Sequence, residues 1–334
     1  MGPLDIGNLH DGDRVEAELR VVERIERKKA DGEPYVILSV GNASGQIDTE
    51  PIWADKLDAG WADGAVRGAI VQVLGHVGRY DRGGASRRQL KLSAPARALP
   101  RDSHRIDDFL PRITQDPATL WDSLDRLRHD ITSSSLKAVL ALLYDDEPFR
   151  LRFERTPASV GGHHSAIGGL LLHVWEVAYI GRAAARAMRA NADLVVAGAL
   201  LHDVGKVEAY DATWDGFVRT PEGHLIEHVV LGLLMVERRI TALDEPPCTP
   251  EQYLELQHMI LSHHGQLEFG SPVRPLTPEA EILHYADDAS AKGASMIESL
   301  ADDEAFRDGA AFGDRSRLWR VDRRALWRRG HGWE

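Results

Sequence analysis

The chain has 334 residues, 43% hydrophobic and 28% charged, the balance of a globular protein with room for a catalytic domain and a smaller partner. A single cysteine, Cys248, excludes an internal disulfide framework and any cysteine-rich zinc site, so metal chemistry must draw on histidine and carboxylates. The net charge of -12 falls wholly in the second part, because residues 1 to 105 carry 16 basic and 16 acidic side chains and the rest carry 24 and 36; that excludes tight, non-specific duplex binding, but not a short single strand or a site neutralised by divalent cations.

The first 13 residues lack the basic start and apolar run of a signal peptide. No segment reaches the roughly 20 apolar residues that cross a bilayer. The expected location is cytoplasmic.

From residue 11 to about 98 the pattern is that of β-strands. Val15, Ala17, Leu19 and Val21 alternate, and further strands are predicted over 35–40, 46–53, 69–77 and 88–92. Gly-rich and polar turns separate them. Five short strands in so few residues predict a small barrel of OB type over residues 8–99. Its candidate strand-binding side chains are Tyr35, Trp53 and Tyr80, with Arg79, Arg82, Arg87 and Arg88 near one turn. For each aromatic, core packing is the competing reading. The Gly-rich pieces GNASG and DRGGAS lack the lysine of a phosphate-binding loop and read as strand turns.

A polar linker, 100–117, precedes a change of period. Apolar residues then recur at three- and four-residue steps through Leu120, Leu124 and Leu127, and onward to Ile297. The expected fold is therefore α+β and multidomain: a five-stranded barrel, then an all-α bundle over 118–300, then a charged tail or helix over 301–334. In that tail Trp319 and Trp327 are expected to pack a terminal helix, with a basic RNA-contact surface as the other reading.

Ten of the 15 histidines fall between His163 and His284, about twice an even share of that window. His173 lies inside GGLLLHVWEVAYIG, and His202-Asp203 ends the apolar run LVVAGALLHD. A buried imidazole and carboxylate are costly unless paired or bound to a cation. Adjacent His202 and Asp203 can present nitrogen and oxygen to one cation, and the carboxylate can bridge to a second. Nitrogen and oxygen donors without thiolate suit Mn, Fe, Zn or Mg, with imidazole favouring the transition metals.

The order HHSAIGGLLLHVWEV, AGALLHDVGKVEAY, EGHLIEHVVLG and LSHHGQLEFGSPVRPLTPEAEILHYADDASAK resembles the HD-domain phosphohydrolases, and within them the YhaM-type 3'-to-5' exoribonucleases, which place an OB-fold ahead of the HD domain. The resemblance spans about 290 residues. It implies that His173, His202, Asp203 and Asp287 hold the principal metal, and that His228, His263 and His264 serve a second metal or the substrate phosphate. Spacing does not separate Asp287 from Asp288. Lys206 is expected to hold a phosphate oxygen, with a structural ion pair to Glu208 or Asp211 as the alternative. His163 and His164 are expected to contact phosphate or ribose. His224 and His258 are read as non-ligands, and Cys248 as a bystander in a Pro-rich loop.

The implied activity is metal-dependent hydrolysis of single-stranded RNA from the 3' end, releasing nucleoside 5'-monophosphates. The implied cofactors are two divalent ions, manganese first, with Mg, Fe, Co or Zn as other occupants. Single-stranded RNA or DNA is the implied partner, and a homo-oligomer the implied assembly. A nucleotidase or cyclic-nucleotide phosphodiesterase stands as the alternative enzyme. A single-strand-binding protein with an inactive HD domain stands as the alternative of another class.

Overall fold

The computed structural model describes residues 4–82, 85–302, 305–306 and 310–329. The side chains of Arg82 and Arg87, two of the candidate strand contacts, lie outside the described residues. Residues separate into two compact units, one of 1–112, 212–216 and 299–334 and the other of 113–211 and 217–298.

The first unit is built on β1 (Arg14–Lys28), β2 (Pro34–Asn42), β3 (Gly45–Asp48), β4 (Ile52–Trp53), β5 (Ile70–Arg82), β6 (Ala85–Leu92) and β7 (Arg97–Leu99), with one short helix, α1 (Ala54–Asp58), after β4. The sheet runs β3-β2-β1-β5-β6, all antiparallel. One strand holds it together. The first half of β1 pairs β5 (Arg14 opposite His76) and the second half pairs β2 (Lys28 opposite Pro34), with Arg20 pairing both and a register shift between Val21 and Glu23 near the start of the β2 pairing. A parallel bridge from Thr49 to Leu90 joins the two ends of the order, and Glu50 donates its N–H to the Leu90 carbonyl at 3.0 Å. That closure makes an OB-like near-barrel. Alternate residues fill it, among them Val15, Leu19, Val36, Leu38, Val73 and Leu90.

The second unit is helical, as the period change predicts. Its helices are α2 (Pro117–Asp130), α3 (Ser134–Tyr144), α4 (Glu147–Arg155), α5 (Gly169–Met188), α6 (Ala192–Leu201), α7 (Lys206–Ala209), α8 (Pro221–Leu225), α9 (His228–Thr241), α10 (Pro250–Ser262) and α11 (Pro278–Ala301). Their starts are written in the sequence. Asp116 caps α2 ahead of Pro117, Ser133 caps α3, Asn191 caps α6, and Thr249 with Gln252 forms a capping box on α10 ahead of Pro250. Helix α6 buries every residue from Leu194 to Leu201, so it runs through the core rather than along the surface. Each of its leucines contributes about 1.5–3 kcal/mol by leaving water.

Two features depart from expectation. A hairpin of β8 (Tyr210–Thr213) and β9 (Gly216–Arg219) interrupts the helical stretch, turning at Trp214-Asp215-Gly216 with Gly216 at φ 107. In the tail, Trp319 and Trp327 remain 57% and 51% exposed and the one described helical element near them is a 3-10 turn, 319–321. The tail's packing falls instead to Leu318, Val321 and Leu326, since charged neighbours at nearly every other position leave no helical apolar stripe. No described helix is long and apolar enough to cross a membrane.

Candidate metal centre

Five elements of the helical unit converge on one buried centre. His173 comes from the interior of α5, His202 and Asp203 from the end of α6, His228 from the first turn of α9, His263 and His264 from the end of α10, and Asp287 from the middle of α11. His202 and His263 are the C-cap residues of their helices, where unpaired carbonyls carry partial negative charge that favours a cation.

Two glycines make the convergence possible. A Cβ on Gly205 would lie 2.0 Å from the His228 carbonyl oxygen and 2.3 Å from the Gly232 nitrogen, so only glycine lets the HDVGK turn approach α9 this closely. A Cβ on Gly169 would lie 1.9 Å from the His164 carbonyl oxygen, which fixes the start of α5 against the preceding loop.

The imidazoles are aimed by their outer nitrogens. His202 Nδ1 lies 2.7 Å from the Ala199 carbonyl oxygen, and His263 Nδ1 lies 2.7 Å from that of Ile260. His228 Nδ1 lies 3.3 Å from Glu227 Oε2, and His173 Nδ1 lies 2.9 Å from Ser290 Oγ. In each case Nδ1 is held outward and Nε2 faces the centre, where its lone pair would serve a bound cation.

Asp203 divides the centre in two. Its Oδ2 is 3.2 Å from His173 Nε2 and 3.3 Å from His202 Nε2, while its Oδ1 is 3.3 Å from His228 Nε2 and 3.7 Å from His263 Nε2. Asp287 Oδ1 lies 3.1 Å from His173 Nε2 and 3.9 Å from His202 Nε2. Among the described residues, two groups have donor atoms close enough to hold an ion: His173, His202 and Asp287, and His228, His263 and His264. Asp203 Oδ1, His228 Nε2, His263 Nε2 and His264 Nδ1 are buried without a hydrogen-bond partner. Four orphaned donors within one cluster fit a divalent cation, which supplies the partner that buried lone pairs otherwise lack.

Electrostatics prepare the donors. Burial opposes ionisation of Asp203, but Lys206 and His202 outweigh it and hold the carboxyl well below the usual carboxylate range. Asp287 is likewise depressed, burial being outweighed by the hydrogen bond to His173. Burial, followed by the charge of neighbouring histidines, lowers His263, takes His264 down to about 4 and takes His163 down to about 2, so these rings are neutral at pH 7. Protonation therefore does not compete with metal at His263 or His264.

The remaining expected residues divide. Lys206 is buried and its Nζ lies 2.5 Å from Asp203 Oδ2. The ion pair weighed against a phosphate role is thus with Asp203 itself, and Glu208 pairs Arg238. His163 packs its ring 5.1 Å from that of His173, with Nε2 buried and unpartnered. His164 is tied to Glu176 and Glu298. Asp288 pairs Lys292 at 2.8 Å, whereas its neighbour Asp287 faces the histidines. His224 is exposed, and His258 Nε2 accepts the Leu276 N–H. Sequence reasoning missed Glu176, Glu227, Ser290 and Glu298. Helical spacing gave a signal for two of them, since Glu176 and Ser290 each follow a predicted ligand by three residues.

In the barrel unit, the rings of Tyr35 and Trp53 lie 5.1 Å apart and tilted by 48°, with the Lys29 ammonium 4.6 Å over the indole. Tyr80 is 41% exposed. Arg88 donates to the Leu9 and Gly7 carbonyls at 2.6 and 3.3 Å, so it pins the N-terminal segment.

The HD domain family model matches residues 170–292. Proteins named 3'-5' exoribonuclease YhaM are similar over most of the chain. The one from Bacillus subtilis is 31% identical over 296 residues, covering 87% of this chain and 90% of its own. That from Oceanobacillus iheyensis is 28% identical over 321 residues, 95% and 94% of the two chains. That from Listeria welshimeri is 31% identical over 284 residues, 83% and 84%. No solved structure matches this chain.

Proposed function

The chain belongs to the YhaM family of 3'-5' exoribonucleases, and from that premise we propose that it removes nucleotides from the 3' end of single-stranded RNA, using two divalent ions held on either side of Asp203. The carrying observation is the Asp203 carboxylate, whose two oxygens face two different groups of imidazoles. His173, His202 and Asp287 would hold one ion, His228, His263 and His264 the other, and Asp203 would serve both. Manganese is our choice among divalent metals because imidazole-rich nitrogen and oxygen sites favour the transition series; Mg, Fe, Co and Zn are the other arms of the titration.

Divalent ions at such a site lower the pKa of water to near neutrality and polarise phosphoryl oxygens. The protein supplies the rest. Asp203 and Asp287, ionised by their surroundings, fix the ligand geometry. Lys206, held beside Asp203, donates to a non-bridging phosphoryl oxygen and takes up charge in the transition state. His163, neutral and with a free buried Nε2, hydrogen-bonds phosphate or the terminal ribose. Water oxygen bonds to phosphorus, the bond to the 3' oxygen breaks, and a nucleoside 5'-monophosphate leaves an RNA shorter by one residue with a 3' hydroxyl.

The barrel unit grips the strand. Trp53, Tyr35 and Tyr80 offer ring faces to bases, with Arg79 and Arg88 near the phosphates, and the unit's neutral charge balance suits short, weak contacts. We place the enzyme in the cytoplasm and take a homo-oligomer as its assembly on the family resemblance alone.

The test is incubation with 5'-labelled single-stranded RNA, single-stranded DNA, and cyclic and free mononucleotides, each with Mn, Mg or chelator. Stepwise shortening from the 3' end that vanishes in chelator and in Asp203→Ala is the expected result. Hydrolysis of mononucleotides with RNA left intact would replace this reading with the nucleotidase one.

A further inference from the structure

Of the four histidines that turn Nε2 inward, His173 has its outer nitrogen held by the longest described chain of side chains leading away from the centre, while the chain from His228 ends at Glu227 and Arg219. His202 and His263 use backbone carbonyls, and His228 uses the adjacent Glu227. The His173 Nδ1 lies 2.9 Å from Ser290 Oγ, and that hydroxyl donates to Glu176 Oε2 at 2.6 Å. Because the serine proton is committed to a carboxylate, its oxygen accepts from His173 Nδ1–H. The tautomer of His173 is thereby set two groups away.

Glu176 is held in turn. His164 Nε2 lies 3.0 Å from the same Oε2, and the far side of His164 faces Glu298: its backbone N–H donates to Glu298 Oε1 at 2.9 Å and its Nδ1 lies 3.7 Å from that oxygen. His164 adopts φ 47, a left-handed conformation that non-glycine residues seldom take. The Gly168-Gly169 start of α5 fits closely beneath it, with the His164 carbonyl oxygen occupying the space of a Gly169 Cβ. Backbone strain at His164 therefore goes with a ring turned to a carboxylate, the sort of outlier that surrounding contacts must over-determine.

We propose that Glu176 and His164, acting through Ser290, are positioning residues for the metal ligand His173, so that His164 serves the cation site rather than the RNA. The inference rests on the two-cation reading above. Outer partners of ligating histidines commonly contribute 10- to 100-fold in metal affinity, by fixing ring orientation and raising basicity.

Mn titration of the metal-free full chain, followed by the electron paramagnetic resonance signal of free Mn, reads the two sites directly. Ser290→Ala and Glu176→Leu are expected to weaken one binding step by roughly 10- to 100-fold and to leave the step that His264→Ala abolishes unchanged. Glu176→Gln, similar in size to Glu176→Leu but with an oxygen that still accepts from Ser290, is expected to recover most of the affinity; a space-filling role would not separate the two. His164→Ala is expected to weaken the same step and to leave the KM for RNA unaltered at saturating Mn. Wild-type chain that binds Mn alongside variants with both steps unchanged would overturn the proposal alone. A wild-type chain that takes up no Mn would overturn it together with the metal reading. His164→Ala that raises KM with both steps intact would return this histidine to the substrate.

Discussion

The Nζ of Lys206 lies 2.5 Å from Oδ2 of Asp203, and both side chains are buried. A buried carboxylate that loses an adjacent ammonium keeps only the imidazoles beside it to offset its charge, and breaking such a pair typically destabilises by about 3–5 kcal/mol. Lys206→Met is therefore expected to lower the melting temperature of metal-free protein sharply and that of metal-loaded protein less, since bound cations replace the missing charge. Loss of a charge donor at the phosphoryl group is expected to lower kcat by about 100- to 1,000-fold. Calorimetry with and without Mn, beside single-turnover kinetics, checks both. Equal destabilisation in the two states would contradict the shared role.

Ligand substitutions should sort by site. Asp203→Ala is expected to abolish uptake of both ions, because each of its oxygens serves a different group. Asp287→Ala should impair only the step shared with His173 and His202, and His264→Ala only the other. Metal content after dialysis, measured by mass spectrometry, separates two, one and none. Retention of one equivalent by Asp203→Ala would remove the bridging argument.

The neutral histidines carry a pH signature. Folding lowers His264 to about 4 and His163 to about 2, burial being the first cause in both. Below about pH 6.5, the ordinary histidine value, the unfolded chain takes up protons that these rings refuse in the fold, so metal-free stability falls as pH drops. It stops falling on account of His264 near pH 4. The slope is at most about 1.4 kcal/mol per pH unit for each ring. Urea unfolding of metal-free protein between pH 7 and pH 5 is expected to show a smaller loss in His264→Gln than in wild type; parallel losses would mean that His264 is protonated in the fold.

Close packing at the HDVGK turn gives a structural prediction. Gly205→Ala places a methyl 2.0 Å from the His228 carbonyl oxygen, against backbone that has no flexible end to yield. Overpacking of this kind costs about 1–3 kcal/mol or more, and here it also displaces a ligand-bearing turn. The variant is expected to melt earlier and to lose the metal step served by His228. A melting temperature equal to wild type would show that α9 gives way easily.

Much of this centre was legible because imidazoles and carboxylates were embedded in apolar helical runs. His173 and His202-Asp203 stood out on those grounds, and the motif order marked His228, His263, His264 and Asp287. Asp287 could not be distinguished from Asp288 by period, since neighbouring helical residues point only about 100° apart; the Asp288 pair with Lys292 is a matter of where α11 packs. The β8-β9 hairpin carried a local signal, Asp215-Gly216, but its four-residue strands are too short for alternation to register. The tail misled because tryptophan usually buries, while here smaller Leu318, Val321 and Leu326 take the inside positions. Glu298 was hidden for another reason: what binds it to the site is a loop residue, His164, whose left-handed backbone no periodicity describes.

Helix α6 ends at the very dipeptide that faces both halves of the centre, and all of its last eight residues are buried. Amides in such a position exchange with solvent only when the whole domain opens, whereas fraying loops exchange through local fluctuations. The His202 amide, bonded to the Gly198 carbonyl at 2.8 Å, is expected in the slowest-exchanging class. The half of the cradle contributed by α6 thus persists in metal-free protein for as long as the domain stays folded, and deuterium uptake along residues 198–203 should be slow without cations and slower still with them, because bound cations raise the free energy of the opening that exposes these amides.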